Sequence, residues 1–407
     1  MIRFCHLKVL VSALVIILAS GAWSPAQYFP PPDSVGGWRT LTNPKEIQAK
    51  TGLDVHKLDQ VFEYIQGSSQ HGGLLVVRHG WLVYERYFGR ANRDATPNEA
   101  SCGKSFTSIA MGILLHERPD LFPEGLDQKV YTPRYLPPEA FPLNDPAKSE
   151  IKLGQLLAMT AGLRGNSPGY VYGNPVKISP EGFDGWQSCV DANAYSETLW
   201  CKPGEGYSYA SVGPHLVSII IRHVTGMEMQ DYIEVRLAKP LGWGRWNFAY
   251  RGHPGREHTC GGGGIALRAT DMVRFGYLLL HEGRWGNRRI VPADYVRKAT
   301  TPSPYNPHFA FSLQFGLNTD GAAPAAPRDA YWKRGSGGFA IEVVPSLDLV
   351  VWKMGGRDDQ YQEKNTGLPE LKHYDGSRAG WKRTVDENAS AFTALEMVVA
   401  AIDDGKR

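Results

Sequence analysis

This chain of 407 residues has almost no excess of charge: 44 Lys and Arg stand against 41 Asp and Glu, a formal net of +3. No basic run stands out, so a nucleic-acid partner has no footing in the composition. Beyond the first residues there is no apolar stretch long enough to suggest a membrane span. Neither His-Glu-x-x-His nor Gly-x-x-x-x-Gly-Lys-Ser/Thr occurs, so no metal or nucleotide site is proposed and no cofactor is expected. Internal repeats and low-complexity tracts are missing too. Cysteine is scarce, at five residues. What remains is ordinary for a soluble globular protein, with 42% hydrophobic and 21% charged residues. The length suffices to bury a sizeable core.

The one apolar run lies at the start. Arg3 and Lys8 precede an apolar stretch over residues 9–19, followed by two small-x-small sites at 20–22 and 24–26. Residues 1–26 therefore read as an export signal or N-terminal anchor, sending the chain to the periplasm or outside the cell. No stable membrane insertion is expected after cleavage. Cys5 leaves with that segment. In an oxidising compartment the remaining Cys102, Cys189, Cys201 and Cys260 allow three pairings. Cys189 with Cys201 is preferred, because a short loop-like segment separates them. Cys102 with Cys260 would tie a helix to the glycine run 261–264; alternatively Cys102 is a small buried core residue.

Residues 27–50 read as an irregular lead-in, and 51–405 as a single catalytic domain. Residues 54–66 have helical periodicity, with Leu58, Val61, Phe62 and Ile65 on one side. Two strand-like runs, 73–77 and 81–88, flank a short turn and predict a hairpin. From about 117 to 264, prolines punctuate short helical pieces; one helix spans Val212 to Thr225. Strand character returns at 330–334, 339–344 and 349–352, and a helix closes the chain over 390–402. The predicted fold class is α+β: an antiparallel sheet flanked by helices (51–116 and 265–405) with an inserted, mostly helical lobe (117–264). A cleft between the lobes is the natural place for a site.

Three stretches carry chemistry. In Ser101-Cys102-Gly103-Lys104, which opens an apolar helix, a serine and a lysine three apart share one helix face. A serine hydroxyl needs a neighbouring base, and lysine serves as one only when burial or nearby cations displace its proton. A second copy, Ser149 to Lys152, reads instead as a helix cap and a solvated charge. Between Pro203 and the Val212 helix, Tyr209 and Ser211 are two apart in a tight loop. A phenol near two lysines loses its proton more readily, so Tyr209 could act as a base. In Lys333-Arg334-Gly335-Ser336, at a strand end, the glycine lets backbone approach a ligand. The N–H groups of Ser101 and Ser336 could then form an oxyanion hole, with Lys333 adding positive potential. Asp271, beside Thr270, reads as a helix-start residue.

Taken together in this order, Ser101-x-x-Lys104, Tyr209-x-Ser211 and Lys333-x-Gly335 resemble the boxes of the serine β-lactamase and penicillin-binding-protein superfamily, in its class C-like branch. That branch includes family VIII carboxylesterases, D-amino-acid peptidases and 6-aminohexanoate-oligomer hydrolases. The stretch 156–163, Pro240-Leu241-Gly242 and the glycine run leading to Thr270-Asp271 agree, over roughly residues 55 to 402. Glu99 and Gly103 flank Ser101 where an α/β-hydrolase elbow would have glycines. The resemblance implies a β-lactamase/transpeptidase-like fold and a serine hydrolase forming an acyl-enzyme on a small ester, amide or peptide. Ser101 would be the nucleophile and Lys104 with Tyr209 the bases. Ser211 would relay a proton, and Lys333 would hold Tyr209 as an anion. Arg334 stands where the family usually has a small residue. With Gly335, Tyr170 and Trp186 it points to an aromatic-lined ester or amide pocket. The alternatives are a penicillin-binding D-Ala peptidase or β-lactamase, and a non-catalytic relative that binds cell-wall fragments.

Overall fold

The computed structural model describes residues 27–165, 168–178, 181–249, 257–371 and 378–404. The export signal expected over 1–26 lies outside the described residues. The lead-in is not wholly irregular, because helix α1 (Pro44–Thr51) forms within it. Its start and stop are written in the residues: Asn43 accepts from the N–H groups of Lys45 and Glu46, Pro44 opens the first turn, and Gly52 ends it in the left-handed region. Helix α2 (Val55–Ile65) is capped by Asp54 and buries the expected stripe Leu58, Val61, Phe62 and Ile65.

The predicted hairpin is β1 (Gly72–Arg78) and β2 (Trp81–Phe88), turning at His79 and Gly80, both at positive φ. The last third of the chain supplies β3 (Gly316–Leu317), β4 (Tyr331–Gly335), β5 (Phe339–Val344) and β6 (Leu349–Met354). All six form one antiparallel sheet in the order β3-β4-β5-β6-β1-β2. The two ends of the chain thus meet where β1 pairs with β6, Gly73 opposite Met354 and Arg78 opposite Leu349. Every residue of β1 is buried because both faces are covered. Leu75 and Val77 join one core; Leu74 and Val76 join the other, with the apolar stripe of α2. A strand covered on both faces reads as a continuous apolar run rather than an alternating one.

Helix α3 (Gly103–Glu117) follows the hairpin and is buried from Gly103 to Leu114, with the Ser105, Thr107 and Ser108 hydroxyls hydrogen-bonded inside. Gly112 lets the Tyr295 ring lie against it; a Cβ there would sit 2.2 Å from the ring. In the middle section, α4 (Leu153–Ala158) and α5 (Val212–Thr225) pack together, and α3 lies against α5. A small sheet of the segments Gly169–Val171, Asn174–Val176 and Gly206–Tyr207 also forms there; strands of two or three residues leave no periodic trace in sequence. Helix α6 (Ala269–Leu280) covers the sheet face at β5 and β6. Asp271 lies in its first turn, accepting from Arg268 Nε at 2.7 Å and Gly244 N at 2.9 Å. Helix α7 (Ala389–Ala400) packs on α2 over the opposite face. The architecture is α+β. Among the described residues no helix is long and apolar enough to cross a membrane.

The preferred Cys189–Cys201 pair does not form, nor does Cys102–Cys260. The disulfide joins Cys189 to Cys260, 71 residues apart, while Cys102 is buried and free and Cys201 is free. Both bonded residues are brought together on α5. The turn Gln187–Cys189 packs against that helix, and Ser218 of α5 holds the Cys260 segment by accepting from Gly261 N at 3.0 Å and donating to Thr259 O at 3.2 Å. Short sequence separation makes loop closure cheap but does not say where the chain runs. Ser149 is not a cap either: it sits in the 3-10 turn Pro146–Glu150 and donates to Pro146 O, while Lys152 pairs with Asp127 at the surface.

Candidate active site

Ser101 lies in a single 3-10 turn, Ala100–Cys102, that runs into α3. Ala100 holds φ at 48°, a left-handed conformation costing an alanine on the order of 1 kcal/mol. The surroundings impose it. Glu99 N donates to Ile265 O and Gly264 N to Ala100 O, each at 2.8 Å, and Asn98 Oδ1 accepts from Ala100 N at 2.9 Å. Gly103 allows the glycine run to pass close, since a Cβ there would lie 3.1 Å from the carbonyl carbon of Gly263.

Because α3 is buried on all sides, so is Lys104, at 2% exposure. Its Nζ stands 2.8 Å from Ser101 Oγ. Burial pulls the ammonium down to about 8, opposed by the negative charge of Asp184. A large fraction of Lys104 is therefore neutral in mildly alkaline solution.

Tyr209 arrives between the short strand Gly206–Tyr207 and α5. Its phenol is hydrogen-bonded to Ser101, and Lys333 Nζ reaches it at 3.4 Å. The amines of Lys104 and Lys333 lie 5.1 and 5.3 Å from its ring centroid. The phenolate expected from these neighbours is not what the electrostatics favour. Burial raises the Tyr209 phenol well above its ordinary value, and burial followed by the charge of Lys104 drives Lys333 well below its own. Burial thus favours the neutral phenol, and Lys104, whose proton is loosened, is the better base.

Strand β4 completes the centre. Gly335 crosses the nucleophile turn so closely that a Cβ would stand 2.1 Å from Glu99 O and 3.1 Å from Cys102 Sγ. Cys102 is thus the small buried residue under β4, its Sγ 3.8 Å from Lys333 O. Ser336, just beyond, lines the same cavity as Ser101.

That cavity, about 640 Å³, has a mixed lining of rings and charges. Among the rings, Tyr207 stacks on Phe309 with centroids 4.7 Å apart, and Phe311 stands edge-on to Tyr209 at 6.4 Å. The charges include Asp184, Asp320, Arg334 and Glu387. Arg334 is partly engaged, with its guanidinium 4.6 Å over the Phe392 ring and Nη1 donating to Asn388 O at 3.2 Å.

Of the residues singled out in the sequence, Ser101, Lys104, Tyr209, Lys333, Arg334, Gly335 and Ser336 come together here. Ser211 does not join them as a relay; its hydroxyl donates to Asp184 at 3.2 Å. Tyr170 stands behind the aromatic wall, 4.8 Å from Phe309, and Trp186 is 45% exposed outside the cavity lining. Sequence reasoning missed Asp184, Asp320, Glu387, Phe309 and Phe311. Only the last two left a signal, as aromatic residues two apart.

A family profile described as beta-lactamase matches residues 58–364. Penicillin-binding protein 4* of Bacillus subtilis (strain 168) is 30% identical over 198 residues, 46% of this chain and 40% of that protein. The chain thus spans about two fifths of that relative's length. A solved putative 6-aminohexanoate-dimer hydrolase from Bacillus anthracis superposes with a TM-score of 0.61 at 17% identity, covering 91% of this chain and 89% of that one. EstCE1, described as a hydrolase with promiscuous acyltransferase activity, gives 0.59 at 16% identity, covering 84% and 98%. At such identities the likeness is one of fold.

Proposed function

This chain belongs to the beta-lactamase family, whose superfamily is one of serine hydrolases, and from that premise we propose an exported hydrolase that forms an acyl-enzyme on an ester or amide. The observation that carries the proposal is the 2.8 Å contact between Ser101 Oγ and a buried Lys104 whose proton is loosened to about 8. Ser101 adds to the substrate carbonyl as its proton passes to neutral Lys104. The N–H groups of Ser101 and Ser336 receive the oxyanion, each donor worth a factor of about 100 to 1,000. Lys104 or Tyr209 then protonates the leaving group, and the carbonyl–heteroatom bond breaks. A water activated at the same bases releases the acyl group and restores the serine. No step calls for a cofactor. The aromatic wall of Tyr207, Phe309 and Phe311 suits an apolar acyl or leaving group.

A second reading, a penicillin-binding D-Ala peptidase or β-lactamase, draws on the match to penicillin-binding protein 4*. One assay separates the readings. Wild type and Ser101→Ala are compared on a p-nitrophenyl short-chain ester and on nitrocefin, with intact-mass analysis for an acyl adduct. Ester turnover by the wild type alone supports the proposal. Equal turnover by both proteins removes Ser101 from the mechanism, and a stable penicillin adduct on Ser101 moves the reading to the second.

A further inference from the structure

The proposed oxyanion hole draws its two donors from segments far apart in the chain, the turn at Ser101 and the loop after β4. Their spacing has to be held to a fraction of an ångström for both N–H groups to meet one oxygen. A buried side chain spans them. Gln360 lies in the 3-10 turn Asp358–Tyr361 and is 6% exposed. Its Nε2 donates to Asn98 O and to Ser336 O, both at 2.9 Å. Its Oε1 accepts from Arg357 N at 3.1 Å, so the amide can be oriented only one way.

The grip extends into both segments. Asn98 N donates back to Gln360 O at 2.7 Å, and Asn98 Oδ1 holds the N–H of the left-handed Ala100 next to the serine. On the other side, Gly337 has φ of 102° and passes over the amide; a Cβ there would stand 2.3 Å from Gln360 Oε1. Gly337 N donates to Glu387, and Gly338 O accepts from Lys353 Nζ at 2.5 Å. The loop after β4 is thereby fixed against the sheet and α7, and Gln360 alone of these contacts reaches across to the nucleophile turn.

We infer that Gln360 is a positioning residue: its carboxamide clamps Asn98 O to Ser336 O and so sets the distance between the two halves of the oxyanion hole. The inference rests on the serine-hydrolase reading and adds a residue that touches neither substrate nor the reacting atoms.

The test uses the whole chain and a p-nitrophenyl ester. Gln360→Met keeps the length of the side chain and removes the donor. Its kcat should fall by about 10- to 100-fold with KM within about threefold, because an interaction realised in the transition state is lost. The rise of activity with pH, set by Lys104, should keep its midpoint near 8. A kcat within about twofold of wild type, or a loss confined to KM, overturns the inference. If Gln360→Met does not fold, Gln360→Glu carries the test. It keeps the acceptor for Arg357 N and donates only when its carboxyl is protonated, so its rate relative to wild type should climb as pH falls; a ratio constant with pH overturns the clamp. Failure of the hydrolase reading looks different, as wild type and Ser101→Ala that behave alike. The clamp is then read from hydrogen exchange at the amides of 100–103 and 336–338. Gln360→Met should speed that exchange at least about tenfold, and unchanged protection overturns it.

Discussion

Lys104 shows what the centre costs and what it gains. A lysine that titrates at about 8 instead of 10.5 makes the folded state bind fewer protons than the unfolded state between those values. Stability contributed at this position therefore rises with pH across that window and is lowest below it. With each pKa unit worth about 1.4 kcal/mol, the penalty in neutral solution is on the order of 3 kcal/mol. Lys104→Met should consequently raise stability at pH 7 by about 1 to 3 kcal/mol in urea denaturation, with the gain vanishing above the ordinary lysine pKa, while hydrolysis is lost. A variant no more stable than wild type at pH 7 would mean that Lys104 carries its charge comfortably. In the wild type, kcat/KM should climb with pH through about 8 as the amine loses its proton, about tenfold per unit on the acid side. Lys104→Arg, which never deprotonates in this range, should show no such limb.

At the scale of elements, the centre depends on how closely β4 crosses the nucleophile turn. Gly335→Ala places a Cβ against Glu99 O, a backbone atom that cannot swing aside as a side-chain end would. The strand end must shift, carrying Ser336 away from Ser101, so kcat should fall by about 100-fold or more, while a displacement of this size costs about 1 to 3 kcal/mol in stability. Wild-type kcat in Gly335→Ala would show that the strand end is free to move without consequence.

The same scale shows what the sequence made legible. Helix α5 begins and ends at Val212 and Thr225 as its apolar spacing and Gly226 dictate, and α2 carries its cap and stripe in plain view. Ser101 and Lys104 were readable because three residues along a helix is a local distance. Tyr209 and Lys333 were readable only through the order of the boxes. Asp184 was not, since a carboxylate in a glycine- and proline-rich loop has no periodicity to place it. Gln360 was invisible for a related reason: its two partners are backbone carbonyls, which every residue has. The phenolate expected at Tyr209 rested on the proximity of charges, which is local information; the burial that opposes it is not.

Across the whole molecule, the sheet joins the first and last thirds of the chain, and the Cys189–Cys260 disulfide staples the turn Gln187–Cys189 to the segment that leads into the glycine run behind the nucleophile. Two roles for that bond can be separated. The glycine run has other attachments: Gly261 N donates to Ser218 Oγ at 3.0 Å, Gly264 N to Ala100 O at 2.8 Å, and Glu99 N to Ile265 O at 2.8 Å. Native geometry at Ser101 thus does not need the cross-link. What the bond does is restrict the unfolded chain, and closing a loop of 71 residues is worth about 4 kcal/mol in the chain-entropy account. Replacing both cysteines by serine should therefore lower Tm by several degrees while leaving kcat at 25 °C within about twofold of wild type. Peptide mapping without reduction should recover Cys189 and Cys260 in one linked fragment, with Cys102 and Cys201 alkylated only as free thiols. An unchanged Tm with collapsed activity would reverse the assignment, making the disulfide a brace for the site rather than a constraint on the unfolded state.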